Sequence, residues 1–448
     1  MSECAYTQYK MSILYPFSLG LLLAQAPPED LSLSQAVKLA VSTHPSADSA
    51  RSALRAAAER IPEAKAAFRP RVDFQENWVR SNNPVFVFGS LLTQRQFTAS
   101  NFALDSLNRP DFLNNFQSLI SAEQPIWDAG RTQKAVEIAE SQRQSAAVSV
   151  RQVELALASR TARAYLDALL TTAAVPVAEQ AIESAQADLR QAEAVRDAGR
   201  STAADALSMR VHLAAVREQL VMRRAEAKVA RSVLGELIGA PEIASFNLTT
   251  QLESSVKPAP EGASERPELD LKRLELGAAR SHVALAKLAS MPQVGLRVGF
   301  EADRQRLITR AGSNWMAAVT LRWTPYQGGA DRAKLRMAQA MVASVQADEK
   351  ATQQRVRLEV VEAQTFLEAS LARVETAQSA IASAEESLRI TKDRYEAGLG
   401  NLTDLLRTET ALTESRLRLL AARHGMRITQ LNYAAALGKL SPDSEVLQ

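Results

Sequence analysis

The feature that most constrains this chain is an internal repeat. The segment Asp197-Ala198-Gly199-Arg200-Ser201-Thr202-Ala203-Ala204-Asp205-Ala206-Leu207 reappears 199 residues later as Glu396-Ala397-Gly398-Leu399-Gly400-Asn401-Leu402-Thr403-Asp404-Leu405-Leu406. The same offset carries Trp127-Asp128-Ala129-Gly130 onto Tyr326-Gln327-Gly328-Gly329, whereas Pro45 and Pro70 match Pro267 and Pro292 at an offset of 222. Matched Gly and Pro punctuation points to a tandem duplication and away from a chance likeness of two Ala-rich stretches. The change of offset places a 23-residue insertion between Pro70 and Gly130 of the first copy. The chain therefore divides into 1–26, 27–240, a linker at 241–266 rich in Pro, Ser and Glu, 267–440, and a tail at 441–448.

Each copy is expected to carry one β-hairpin, at 71–125 and 293–324. Val72, Phe74 and Trp78 share one strand face, and Val294 to Phe300 is apolar at every second position. Returning strands are expected at Phe116 to Gln124 and Trp315 to Trp323. Alternation over about ten residues is the signature of a transmembrane β-strand. All four tryptophans and nine of the twelve phenylalanines lie in or beside these segments, as aromatic girdles at a membrane surface would. A small soluble β-domain with an aromatic core is the competing reading. Four strands cannot close around a lumen, and an open edge cannot survive in lipid. Several copies must then share one barrel; three would give twelve strands, and two stays open. The loop from Ser81 to Asn115 holds the insertion and is expected on the extracellular side, where barrel loops are long.

The rest of each copy reads as long helices. From Arg131 to Leu170 there is no Gly or Pro, and Val136, Ala139, Ala146, Val150, Val153 and Leu157 mark a near-heptad seam. The stretch from Ala330 to Leu371 reads likewise. Narrow seams of small residues suit helices in the wall of a water-filled tube, although a coiled-coil rod would share them. Pro176 suggests a turn near Thr171–Pro176, after about 63 Å of helix from Gly130, with a return helix of about 40 Å to Gly199. On that reading Gly199 and Gly398 are breaks at mid-height, followed by Asp205 and Asp404 as N-cap or first-turn residues.

Charge and chemistry narrow the function. Lys and Arg number 53 against 50 Asp and Glu, without the clustered basic excess of a nucleic-acid binder. Lys10, the apolar run Ile13 to Leu23 and Ala24-Gln25-Ala26 read as a signal peptide. The one cysteine, Cys4, precedes that run and cannot be a lipoprotein acceptor. No other segment nears the roughly 18 uncharged residues of a membrane helix. His44, His212, His282 and His424 are scattered without metal-ligand spacing. Glu385 and Glu386 point about 100° apart on a helix, and no phosphate loop or nucleophile setting is present. No catalytic residue, metal or cofactor is expected, and the chain is not read as an enzyme.

These elements together resemble the TolC family of outer-membrane efflux proteins. The resemblance rests on Leu33-Ser34-Gln35-Ala36-Val37 leading to His44-Pro45, and on Arg266-Pro267-Glu268-Leu269 opening the second copy. It rests also on the strand-to-helix junctions Pro125-Ile126-Trp127-Asp128-Ala129-Gly130 and Pro325-Tyr326-Gln327-Gly328-Gly329, and on Arg394-Tyr395-Glu396-Ala397-Gly398 with Asp404-Leu405-Leu406. It implies a mainly helical fold of tandem long hairpins forming a trimeric α-barrel, with four strands per chain in a shared twelve-stranded barrel. It further implies an outer-membrane exit duct reaching into the periplasm, a homotrimer in outer-membrane lipid. Its partners would be a periplasmic adaptor and an inner-membrane RND or ABC transporter. Acidic residues constrict the family's periplasmic tips; the candidates here are Asp167 and Glu368, with Arg373 as a latch partner. Gly199, Asp205, Tyr395, Gly398 and Asp404 would form the equatorial signature, and Arg196 departs from it where the second copy has Tyr395. A coiled-coil scaffold in the periplasm and an outer-membrane adhesin using the 81–115 loop are the alternatives.

Overall fold

The computed structural model describes residues 30–198, 202–240, 246–252, 266–308, 311–441 and 443–447. The expected signal peptide and Gly199 lie outside the described residues. In chain order the first half contains β1 (Asp30–Leu31), α1 (Leu33–Thr43), α2 (Pro45–Ala66), β2 (Arg71–Ser81), α3 (Pro84–Thr93), α4 (Leu104–Asn108), β3 (Leu113–Trp127), α5 (Arg131–Asp197), α6 (Ala203–Leu237) and β4 (Asn247–Leu248). The second half contains α7 (Pro267–Leu288), β5 (Gln293–Arg304), β6 (Gly312–Arg322), α8 (Ala330–Glu396) and α9 (Leu402–Ala436).

The helix lengths repeat. α2 and α7 have 22 residues each, α5 and α8 have 67, and α6 and α9 have 35. A 67-residue helix is about 100 Å long at 1.5 Å per residue. α2 packs beside one part of α5 and α6 beside another, and α7 and α9 flank α8 in the same way. α7 and α9 also pack on α5, which joins the two copies side by side. The buried side chains of α5 are mostly small, among them Ala139, Ala158, Ala162, Ala168, Ala178, Ala185 and Ala192. Small residues let neighbouring helices approach closely through a narrow seam, so most of each helix stays wet.

The sheet stands at one end of these helices in the order β2-β3-β5-β6, antiparallel throughout. The central β3–β5 pairing is the one that joins the two copies. Midway along the helices sits the main apolar core. It gathers Leu31, Leu33, Val37 and Ala40 with Leu157, Tyr165 and Leu166 of α5, Leu234 and Leu237 of α6, Leu431 of α9, and Val446 and Leu447 near the end of the chain. The Tyr165 hydroxyl donates to the Leu31 carbonyl at 2.7 Å and accepts from the Thr250 amide at 3.2 Å. This collar fixes the N-terminal strand and α1 across the middle of the long helix.

One expectation is overturned. No turn interrupts the chain near Thr171–Pro176, because α5 runs unbroken from Arg131 to Asp197 with Pro176 inside it. A proline removes one ladder hydrogen bond and strains the preceding turn, at about 3 kcal/mol. Packing of α5 against α6 along this stretch offsets that cost. The long helices end at Asp197 and Glu396 and the helices that follow pack back along them, so Gly398 lies at a hairpin end and not at a mid-height break. Asp167, Glu368 and Arg373 then stand about 45, 42 and 35 Å from those ends. They do not lie at the hairpin ends, where a turn near Thr171–Pro176 would have put them.

Candidate functional site

The sheet has two unlike faces. The pairings of Phe74 with Ile120, Ile120 with Phe300 and Phe300 with Trp315 set one apolar row across all four strands. By strand alternation Val72, Trp78, Phe116, Val298, Val319, Leu321 and Trp323 share that face. Trp78 and Trp315 lie toward its far end, and Trp323 lies near the helices. Glu76, Ser118 and Arg304 interrupt the apolar face near the far end and bond to one another, with Arg304 Nη2 3.0 Å from Glu76 Oε1.

The opposite face is a polar ladder. Asn77 Nδ2 donates to Gln117 Oε1 at 3.2 Å, and Gln117 Nε2 donates to Glu301 Oε1 at 2.7 Å. Arg297 faces Glu123 at 3.5 Å. Such a sheet suits lipid on one side and water on the other. Among the described residues β2 and β6 each pair along one side only, so each presents an open row of backbone N–H and C=O groups.

The junctions between sheet and helix are built alike. Gly130 has φ +85° and Gly329 φ +86°, left-handed values that turn the chain from strand into helix. Asp128 accepts from the amides of Gly130 and Thr132 at 2.9 and 2.6 Å, capping α5. Burial acts to raise its carboxyl, but these hydrogen bonds outweigh it and hold the group below the usual carboxylate range. Arg131 donates to the carbonyls of Leu288 and Ala289 at the end of α7, tying one copy's junction to the other. The β3–β5 register shifts between Pro125 and Trp127, where Pro125 has no amide to give. Tyr326, after Pro325, is exposed.

Near the hairpin ends the four long and return helices meet. Thr202 and Asn401 cap α6 and α9 by accepting the amides of Asp205 and Asp404. Tyr395 packs with Leu402, Leu405, Met209 and Ala192, so the second copy's tyrosine is seated on both hairpins. Arg196, at the matching place in the first copy, pairs with its neighbour Asp197 instead. Leu399, beyond Gly398 (φ +75°), is 74% exposed.

Behind these ends lies a charged cluster drawn from all four helices. Asp188 of α5, only 2% exposed, faces Lys392 of α8 at 3.4 Å. Glu409 of α9 lies between Asp188 and His212 of α6, with His212 Nε2 3.8 Å from Glu409 Oε2. Burial first, and Asp188 second, push Glu409 up to about 8. Burial likewise lowers His212, against the pull of Asp188. Asp188 Oδ2 is buried without a hydrogen-bond donor, and a proton on Glu409 would supply one. Residue spacing gave no sign of this cluster.

The displaced residues have other partners. Asp167 accepts from His424 Nε2 at 2.7 Å beside the collar. Glu368 and Arg373 are exposed, and Leu367 packs with Tyr433 and Leu437. Arg266 bridges Glu268 and Glu359 at 3.0 and 2.9 Å, which explains the motif that opens the second copy.

Residues 36–240 and 261–439 match the sequence profile described as "Outer membrane efflux protein". The chain is 22% identical over 410 residues to the outer membrane efflux protein BepC of Brucella suis, covering 90% of this chain and 84% of that one. It is 22% identical over 403 residues to the cation efflux system protein CusC of Escherichia coli, covering 86% and 83%. The crystal structure of a membrane protein from Pseudomonas aeruginosa superposes with a TM-score of 0.79 at 20% identity, over 91% of this chain and 93% of that one.

Proposed function

The chain belongs to the outer membrane efflux protein family, and from that premise we propose that three copies close one twelve-stranded barrel and one helical tube. The protein is an outer-membrane efflux channel whose helices extend into the periplasm. Neither a coiled-coil scaffold nor an adhesin is what the matched family describes.

The observation that carries the shared barrel is the sheet with one apolar face, one polar face and, among the described residues, two unpaired edges. Lipid tolerates no open edge, so β6 of one copy takes β2 of the next, and the polar ladder then faces water inside. In the periplasm the long helices continue this wall for about 100 Å. The work of such a wall is conduction and not catalysis. Substrates would enter at the hairpin ends from an inner-membrane pump of the RND or ABC class, held there through a periplasmic adaptor. The exposed Leu399 and the turn around Gly398 form the surface that an adaptor would meet.

The test is a strain lacking this gene. Restoring the intact chain should place it in the outer-membrane fraction, recover efflux and co-purify an adaptor. Recovery of the chain only in the soluble fraction, with efflux unaffected by its loss, would overturn the proposal.

A further inference from the structure

The insertion peculiar to the first copy folds over the polar face of the sheet. α3 turns Val87, Ser90 and Gln94 toward the strands, and all three are buried. Gln94 Nε2 donates to the Asn114 carbonyl at 2.9 Å and to Asn115 Oδ1 at 2.8 Å, and Asn115 Nδ2 donates to Asp303 Oδ1 at 2.6 Å. Asn115 and Asp303 belong to the polar face, and Asp303 is 1% exposed. Gly312, the first residue of β6, lies so close to Thr93 that any side chain there would strike the Thr93 carbonyl. The segment is docked on that face and does not hang free of it.

What α3 turns away from the sheet is the reverse of what a lone surface helix exposes. At 100° per residue, Val85, Phe88 and Leu92 lie opposite Val87, Ser90 and Gln94. Val85 is 82% exposed and Leu92 is 50% exposed. Phe88 meets Phe97 edge-on at 4.8 Å, and Phe97 meets Phe102 at 5.1 Å, widening the apolar ridge. Gly89 on the same side has open space where a side chain would stand. A helix on a polar sheet normally buries its apolar side; this one offers it outward.

We propose that this ridge is covered by the same ridge of the other copies, so that three α3 helices meet on the axis of the barrel and form an apolar plug at its extracellular mouth. The inference rests on the shared barrel proposed above. If the polar face lines the lumen, an element docked on it points inward, and the nearest apolar surface it can find is its own counterpart. The plug sits at the strand ends remote from the helices, so it narrows the exit of the channel.

The test uses the full chain with Cys4→Ser and a single new cysteine, reconstituted in lipid. Leu92→Cys should cross-link between copies with a short bis-maleimide, and Leu321→Cys on the lipid face should not. In planar bilayers Val85→Asp with Leu92→Asp should raise single-channel conductance. Deletion of residues 84–112 gives a second reading where the double variant fails to assemble. Native mass spectrometry of each variant separates the plug from the shared barrel. Trimers that show neither cross-link nor conductance change overturn the plug alone, whereas absence of trimers in the parent overturns the shared barrel itself.

Discussion

Lys392 Nζ lies 3.4 Å from Asp188 Oδ1, and this pair ties the long helix of one copy of the repeat to the long helix of the other. It stands within about three helical turns of both hairpin ends. Four groups from four helices meet there, and two of them, Glu409 and His212, have shifted protonation equilibria.

The closed packing weakens as pH rises. Glu409 is pushed up to about 8 from an ordinary 4.5, so the packed state favours its protonated form. Its stabilising effect is fully present below pH 4.5 and is lost as pH climbs through 8. His212 is lowered from 6.5 and acts in the opposite sense, destabilising the packed state as pH falls below that value. Between pH 6.5 and 8.5 Glu409 therefore dominates. Hydrogen exchange at the hairpin ends should speed up across this window beyond its intrinsic pH dependence. Glu409→Gln should abolish the excess, and an excess unchanged in that variant would contradict the account.

Lys392→Ala removes the counter-charge from a carboxylate that is 2% exposed. A buried partner lost from such a pair costs several kcal/mol, but Lys392 is itself half in solvent, which reduces the loss to about 1–2 kcal/mol. A lowered melting temperature in detergent and a higher open probability in bilayers are expected together. A change in melting temperature with unaltered gating would separate this pair from the aperture.

Tyr165→Phe tests the collar. Its hydroxyl serves both the Leu31 carbonyl and the Thr250 amide in a fully buried site. Both partners lose it without access to water, at about 1–3 kcal/mol. Protease should then release the N-terminal segment before α1 while the sheet stays intact. Equal resistance of variant and parent would remove Tyr165 from that role.

Gly398→Val places a β-branched residue at φ +75°. The left-handed conformation costs such a side chain about 1–3 kcal/mol. Exchange at the α8–α9 end should rise, with Gly398→Asn milder than Gly398→Val because Asn tolerates this region. Variants indistinguishable in exchange would show that the turn does not need glycine.

The sequence made the sheet and the duplication legible for separable reasons. Alternation in Val294 to Phe300 has a period of two that no helix shares, and Gly130 and Gly329 recur because a strand-to-helix turn with positive φ needs them. The length of the helices is not legible at Pro176, because a proline inside a well-packed helix need not end it. The stronger signals lay further on, at Thr202 and Asn401, each capping an amide three residues ahead. With the turn at the end of α5, the charged cluster nearest the hairpin ends is the one around Asp188 and not Asp167. That cluster was hidden because its members lie as far apart in sequence as Asp188 and Glu409. Only the equal 11-residue distances of Asp188 from Gly199 and of Glu409 from Gly398 could have suggested it. The outward apolar side of α3 was visible in Val85, Phe88 and Leu92, but the face it docks by depends on tertiary contacts.

The proposed channel requires the open edges of β2 and β6 to be completed by sister chains. Native mass spectrometry of the chain extracted from the outer membrane in mild detergent reads this directly. Three copies per particle, dissociating to monomers when a proline replaces Gln75 or Asn77 in the β2 edge, is the predicted result. A single intact copy that keeps its sheet folded in water would contradict it.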